Sequence, residues 1–241
     1  MKNLMVILER YLDIDGPRLR IGGVVTRDVA HYHGVPHGAV QVAVVVHKDG
    51  QPHILLHKRS KWKKTDPDKW DICGGHIDAT QEILQNANAW DNQRFIEELF
   101  AETALREVNE EVVLRPNPDF RFKQEHLKCF GGPGAFACGF DDPRAENREF
   151  SAFYVAFVPQ DVLSLTNQPK VEEIFEMTDS VGIGGGQRDV IALELKLVTL
   201  PELVQAFTGQ PGDYADGIAR VLLRASREPG TMKALQKFLE L

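Results

Sequence analysis

Three glutamates offer the clearest chemistry in this chain. Glu107, Glu110 and Glu111 stand at i, i+3 and i+4 in the run Arg106-Glu107-Val108-Asn109-Glu110-Glu111. On a helix, that spacing puts all three carboxylates on one face. Like charges so placed repel and weaken the helix, so an offsetting cation is expected. A hard divalent ion suits such oxygen ligands and keeps positions open for water or substrate phosphates. The competing reading is a solvated acidic face beside Arg106. Gly74-Gly75 precedes this run, and a glycine pair lets backbone approach a metal or phosphate with no Cβ in the way. Glu98 lies eight residues before Arg106, near the expected helix start, where a carboxylate complements the dipole.

These groups need elements to position them. Apolar residues Ile96, Leu99, Phe100, Ala104, Leu105, Val108 and Val112 recur at spacings of three and four, which predicts a helix over 95–113. Pro116 and Pro118 stop it. Residues 40–47 (VQVAVVVH) read as a buried strand. Lys48-Asp49-Gly50 reads as a turn, and 53–58 as the partner strand. Residues 59–69 are basic and polar, hence a loop, and 70–73 a short strand entering the glycine pair. Further strands are expected at 5–14, 120–130, 150–158 and 191–200, with a loop at 131–139 and helices near 201–207, 214–226 and 230–240. The interleaving of strands and helices gives an α/β or α+β class.

The set resembles the Nudix box, G-x5-E-x7-R-E-U-x-E-E-x-G-U, where U is apolar. Glu98 matches the first glutamate, seven residues separate it from Arg106, Val108 is apolar, Glu110-Glu111 close the pair and Leu114 fills the last apolar position. Trp70-Asp71-Ile72 and Gly74-Gly75-His76-Ile77 are similar to the family's strand and turn. Two departures stand out. About 17 residues near 79–95 are inserted between the glycine turn and Glu98, and Val113 replaces the box glycine. The resemblance implies an α/β/α sandwich around a mixed β-sheet and Mg2+- or Mn2+-dependent hydrolysis of a diphosphate in a nucleoside or other organic substrate. It makes Glu107, Glu110 and Glu111 metal ligands, the Gly74 carbonyl a further one, and Glu107, Glu111, Arg106 and Glu98 the catalytic set.

A second likeness narrows the branch. Residues 25–31 (VTRDVAH), Gly34-Val35-Pro36-His37, Lys58-Arg59-Ser60 and Asn147-Arg148-Glu149-Phe150 resemble the isopentenyl-diphosphate isomerase-like branch of the superfamily. That branch implies a metal held by His37, His76 and Glu149, with His31 or His33 as another histidine. A second acidic ligand would come from the position of Asn147, or from Glu146 beside it. The isomerase also needs a cysteine at the position of Gly74. Cys73 is one residue off, where strand alternation points it to the other face, and a buried core thiol is its expected state. Hydrolase is therefore preferred to isomerase. A ligand-binding Nudix fold without catalysis is the third alternative.

Composition bounds the rest. The chain has 241 residues, 43% hydrophobic and 26% charged, with a net charge of -7 and three cysteines. This is a globular composition. The acidic surface disfavours nucleic acid and anionic membrane as partners, and the cysteines form no disulfide or zinc framework. No apolar run reaches the roughly 20 residues of a membrane span, so a cytoplasmic protein is expected. Arg59, Lys61 and Lys64 are candidates for substrate phosphates and Trp90 for stacking on a substrate ring. Residues 1–200 read as the Nudix domain. Residues 201–241 read as a helical extension that packs on the sheet or forms a homodimer interface.

Overall fold

Residues 40–46 are almost all β-branched or apolar, a composition that fits a strand covered on both faces. The computed structural model bears this out. It describes residues 4–13, 16–138, 147–163, 170–183, 186–192, 194–227 and 229–239. The chain begins with strands β1 (Leu4–Asp13) and β2 (Gly16–Thr26), helix α1 (Arg27–Tyr32), β3 (His37–Lys48) and β4 (Gln51–Lys58). Short strands β5 (Trp70–Asp71) and β6 (Cys73–His76) lead to helices α2 (Gln81–Gln85) and α3 (Gln93–Glu111). Then come β7 (Val112–Leu114), β8 (Leu127–Cys138), β9 (Glu149–Phe157), α4 (Val171–Ile174), β10 (Phe175–Ile183), β11 (Gly186–Ile191) and β12 (Leu195–Val198). The chain closes with α5 (Leu200–Gly209), α6 (Asp216–Arg227) and α7 (Pro229–Leu239). The class is α+β, with antiparallel pairing in every register described and one parallel bridge, Trp70 to Tyr214.

Two compact units divide the chain. The first comprises Met1–Gln41, Gly74–Leu105 and Cys129–Tyr154. Here β1 pairs β2 along its whole length and meets the start of β3 through Ile7 and His37. The inserted segment 79–95 is tied down rather than loose. Thr80 caps α2, Ala79 N–H donates to the Leu4 carbonyl and Ile21 N–H donates to the Trp90 carbonyl. Asn92 accepts from the N–H groups of Arg94 and Phe95 and so starts α3. In this unit α3 buries Ile96, Leu99, Phe100 and Ala104, as its periodicity predicts.

The second unit comprises Val42–Cys73, Arg106–Lys128 and Val155–Leu241. In it β3 pairs β4, and β4 pairs β12 and β5. A separate three-stranded sheet runs β11-β10-β7. This sheet explains the missing box glycine. Helix α3 ends at Glu111 and the chain passes directly into β7, where Val113 pairs with Glu176 on β10. No left-handed residue is needed there, and a β-branched side chain suits a strand.

Three expectations change. The strand read at 120–130 begins only at Leu127, after a 3-10 turn at Gln124–His126, and the strand read at 191–200 is confined to Leu195–Val198. Residues 131–138, read as a glycine-rich loop, belong to strand β8; glycine is unfavourable in a strand yet tolerated where the partner strand supplies the ladder. Position 139 of that expected loop and the candidate Glu146 lie outside the described residues. Strand β2 and helix α1 had no clear signal in the sequence.

Candidate functional site

The first unit gathers histidines. Thr26 accepts from Val29 N–H to cap α1, and Gly34 takes a left-handed φ of 58° just beyond it. Val35 N–H returns to the Ala30 carbonyl, so the chain doubles back and puts His31 beside His37, the first residue of β3. His37 N–H donates to the Arg148 carbonyl, which brings the start of β9 and Glu149 to the same place. Ile77 N–H donates to the Gly38 carbonyl and sets His76, at the end of β6, against both. One coordinating atom from each of His31, His37 and His76 lies within 4.8 Å of the others. The rings of His31 and His37 stack at 5.2 Å, and that of His76 is 5.0 Å from His37.

Glu149 completes the set. Its Oε1 is 3.1 Å from His76 Nε2 and 3.8 Å from His37 Nε2, and Asn147 Nδ2 donates to it at 2.8 Å. Asn147, at the position expected for a second acidic ligand, thus holds the first carboxylate in place. The His37 ring is oriented by the Val35 carbonyl, 2.8 Å from Nδ1. A proton on Nδ1 leaves Nε2 as the lone-pair donor that a metal requires. Nε2 of His31 and of His37 is buried with no hydrogen-bond partner among the described residues.

The electrostatics favour neutral rings at His31 and His76. Burial pushes His31 down to about 3, with His76 and Arg27 adding to the shift. Burial also lowers His76. Burial alone would raise Glu149, but the adjacent His37 and His76 rings, His76 within hydrogen-bond distance, outweigh it and hold the carboxyl well below its usual range. Neutral imidazoles beside an ionised carboxylate are the protonation states of a metal ligand set. Of the two histidines left open by the sequence, the structure selects His31; His33 instead packs edge-on against Tyr32.

The second unit carries the glutamates. Arg106 lies between two of them, with Nη2 2.7 Å from Glu107 and Nη1 3.1 Å from Glu110. One guanidinium thus offsets part of the repulsion among three carboxylates. Asn109 fixes this turn of α3, because its amide exchanges two hydrogen bonds with the backbone of Phe122. Thr178 donates to the Glu110 carbonyl and secures the helix end. Cys73 is fully buried, and burial raises its thiol, with Glu111, Asp71 and Glu107 adding to the shift. A core thiol that keeps its proton is the state expected of it, and its surroundings put Glu107 and Glu111 near the strand 70–73. Glu98 belongs to the first unit, where Arg94 pairs with it at 3.0 Å on an exposed face.

The remaining candidates separate by their partners. A Cβ on Gly74 would meet the Val40 carbonyl at 2.7 Å, so glycine is required there by packing alone. Trp90 directs its indole N–H to the Ile83 carbonyl within the insertion. Arg59 bonds Asp71 at 2.6 Å and the Thr65 carbonyl at 3.2 Å, whereas Lys61 and Lys64 are exposed. Arg59 therefore shapes the loop through Asp71, a partner the sequence did not single out. Replacing Arg59 with Ala is expected to cost about 1–3 kcal/mol in urea unfolding, because it leaves the buried Asp71 carboxylate without its cation.

The NUDIX domain family matches residues 36–181, more than half of the chain. No curated protein matches the sequence. Similar solved structures include DR0079 of Deinococcus radiodurans, 11% identical with a TM-score of 0.48, covering 92% of this chain and 98% of that one. The Ap4A hydrolase of C. elegans is 13% identical with a TM-score of 0.37, covering 84% of this chain and 97% of that one. RenU, a Nudix hydrolase of M. smegmatis, is 14% identical with a TM-score of 0.37, covering 93% of this chain and 97% of that one.

Proposed function

The chain belongs to the NUDIX domain family, and from that premise we propose that it hydrolyses the diphosphate linkage of a nucleoside or other small organic diphosphate with Mg2+ or Mn2+. The carrying observation is the turn of α3 that carries Glu107, Glu110 and Glu111, where the Arg106 guanidinium pairs with Glu107 and Glu110. The oxygen donors and the excess negative charge fit a hard divalent ion. When bound, such ions polarise the phosphoryl oxygens and stabilise charge on the leaving group.

The chain's own residues do the rest. Arg106 holds Glu107 and Glu110 by charge-assisted hydrogen bonds, which keeps their oxygens directed. One carboxylate of the pair Glu107 and Glu111 takes the proton of the attacking water. Lys61 and Lys64, on the exposed loop, meet the substrate phosphates. His31, His37, His76 and Glu149, in the first unit, form a centre whose imidazoles suit a transition metal such as Zn2+ or Mn2+. That set is the reason for assigning the chain to the isomerase-like branch.

Residues 1–200 act as the catalytic domain with 201–241 as its helical extension, the protein works in the cytoplasm, and the extension is open to homodimer formation. No helix among the described residues is long and apolar enough to cross a membrane.

The test is phosphate release from a panel of nucleoside and organic diphosphates, with and without Mg2+. Turnover of at least one member that stops in EDTA is expected. No turnover with any divalent ion would remove the hydrolase reading, and rearrangement of isopentenyl diphosphate would replace it with the isomerase.

A further inference from the structure

The loop 59–69 has an unusual backbone. Asp66 and Asp68, neither of them glycine, take left-handed φ values of 48° and 60°. Such conformations persist only where the surroundings over-determine them. Here the surroundings come from the C-terminal helices of the same unit. Asp66 Oδ2 accepts from the backbone N–H of Asp216, the first residue of α6, at 3.1 Å. Its Oδ1 accepts from Lys69 Nζ at 2.6 Å. Ala215 N–H donates to the Trp70 carbonyl, and Lys196 Nζ lies 3.8 Å over the Trp70 ring. Asp68 is 3.5 Å from Lys58 Nζ.

A helix of twelve residues starts with unsatisfied N–H groups and a positive dipole end. Asp66 meets both from a distant part of the chain. The opposite side of the loop is held as firmly. Arg59 N–H donates to the Lys69 carbonyl, and Ser60 accepts from the N–H groups of Trp62 and Lys63. The frame presents Lys61, Trp62 and Lys64 outward, with Trp62 60% exposed.

We propose that Asp66 is a positioning residue: its carboxylate joins the start of α6 to the basic loop and so holds Lys61 and Lys64 where they meet the substrate's phosphates. The proposal rests on the reading that this loop contacts substrate. It gives the C-terminal helices a part in substrate binding rather than in chemistry.

Two variants and two readouts test it in the full chain. Asp66→Ala removes the acceptor and strains the left-handed backbone. KM for the diphosphate substrate is expected to rise about fivefold, the effect of losing one helix cap, while kcat stays within about twofold. Asp66→Asn is expected to restore KM, because asparagine accepts the same bond and tolerates left-handed backbone. Independently of turnover, trypsin is expected to cut after Lys61, Lys63 or Lys64 about fivefold faster in Asp66→Ala.

An unchanged trypsin rate overturns the coupling, and so does a fall in kcat with KM unaltered. If Lys64→Ala raises KM but Asp66→Ala does not, the positioning role is wrong although the loop does bind substrate. If Lys64→Ala leaves KM unaltered, the loop reading itself fails, and the trypsin rates still decide whether Asp66 couples the two elements.

Discussion

Glu107→Gln is expected to lower divalent-ion-dependent hydrolysis by about 10²–10⁴-fold while leaving the fold intact. Glutamine has the same shape and keeps an acceptor oxygen for Arg106, which lies 2.7 Å away. What it removes is the negative charge, on a side chain that is only 8% exposed as a residue and therefore poorly screened by water. Both proposed uses of the carboxylate, holding a cation and accepting the proton of water, need that charge. kcat/KM at saturating Mg2+, with the thermal midpoint as a check on folding, reads the effect. Full activity in Glu107→Gln would remove this helix from the reaction. Glu98→Gln is a useful comparison. That side chain is 56% exposed and bound to Arg94 on its own helix, so a smaller loss is expected.

His37→Ala is expected to weaken binding of a transition metal by more than about 100-fold, the upper end of what losing a hydrogen bond to a ligand costs. His37 is fully buried, its Nδ1 is tied to the Val35 carbonyl, and its Nε2 faces the other two histidines with no hydrogen-bond partner among the described residues. Competition with a chelator for Zn2+, or the visible spectrum of bound Co2+, measures the change. His76→Gln, which keeps a polar side chain of similar reach, guards against simple loss of packing. Equal affinity in the wild-type protein and both variants would show that the cluster is a structural histidine group. The prediction is independent of the first, since the metal affinity of the histidine centre is read without turnover.

The two sites differed in how much of them the sequence revealed. Glu107, Glu110 and Glu111 are neighbours by helix geometry alone, so spacing was enough to group them. The histidine centre draws on four separate stretches of chain, and spacing named its members only with the aid of a family resemblance. Its supports had no local signal. Val35 orients His37 through a carbonyl that every residue possesses, and the support that the Asn147 amide gives Glu149 has no local pattern. Arg59 shows the same limit. Its type suggested phosphate, but whether a guanidinium meets a ligand or a carboxylate depends on where Asp71 lies.

Helix α3, strands β3 and β4, and the C-terminal helices followed from periodicity and turn residues, because local burial patterns dictate them. Strand β2 and helix α1 did not, since their order depends on pairing with β1 and on a return at Gly34. The sequence by itself determined that three carboxylates share one helical turn and that 241 residues exceed what the box needs. Only the tertiary structure decided that the insertion 79–95 is bound to β2 and the chain start, that His31 rather than His33 joins the cluster, and that Asp66 meets α6. Each of these depends on a hydrogen bond or packing contact between residues distant in the chain, and a linear pattern carries no record of such contacts.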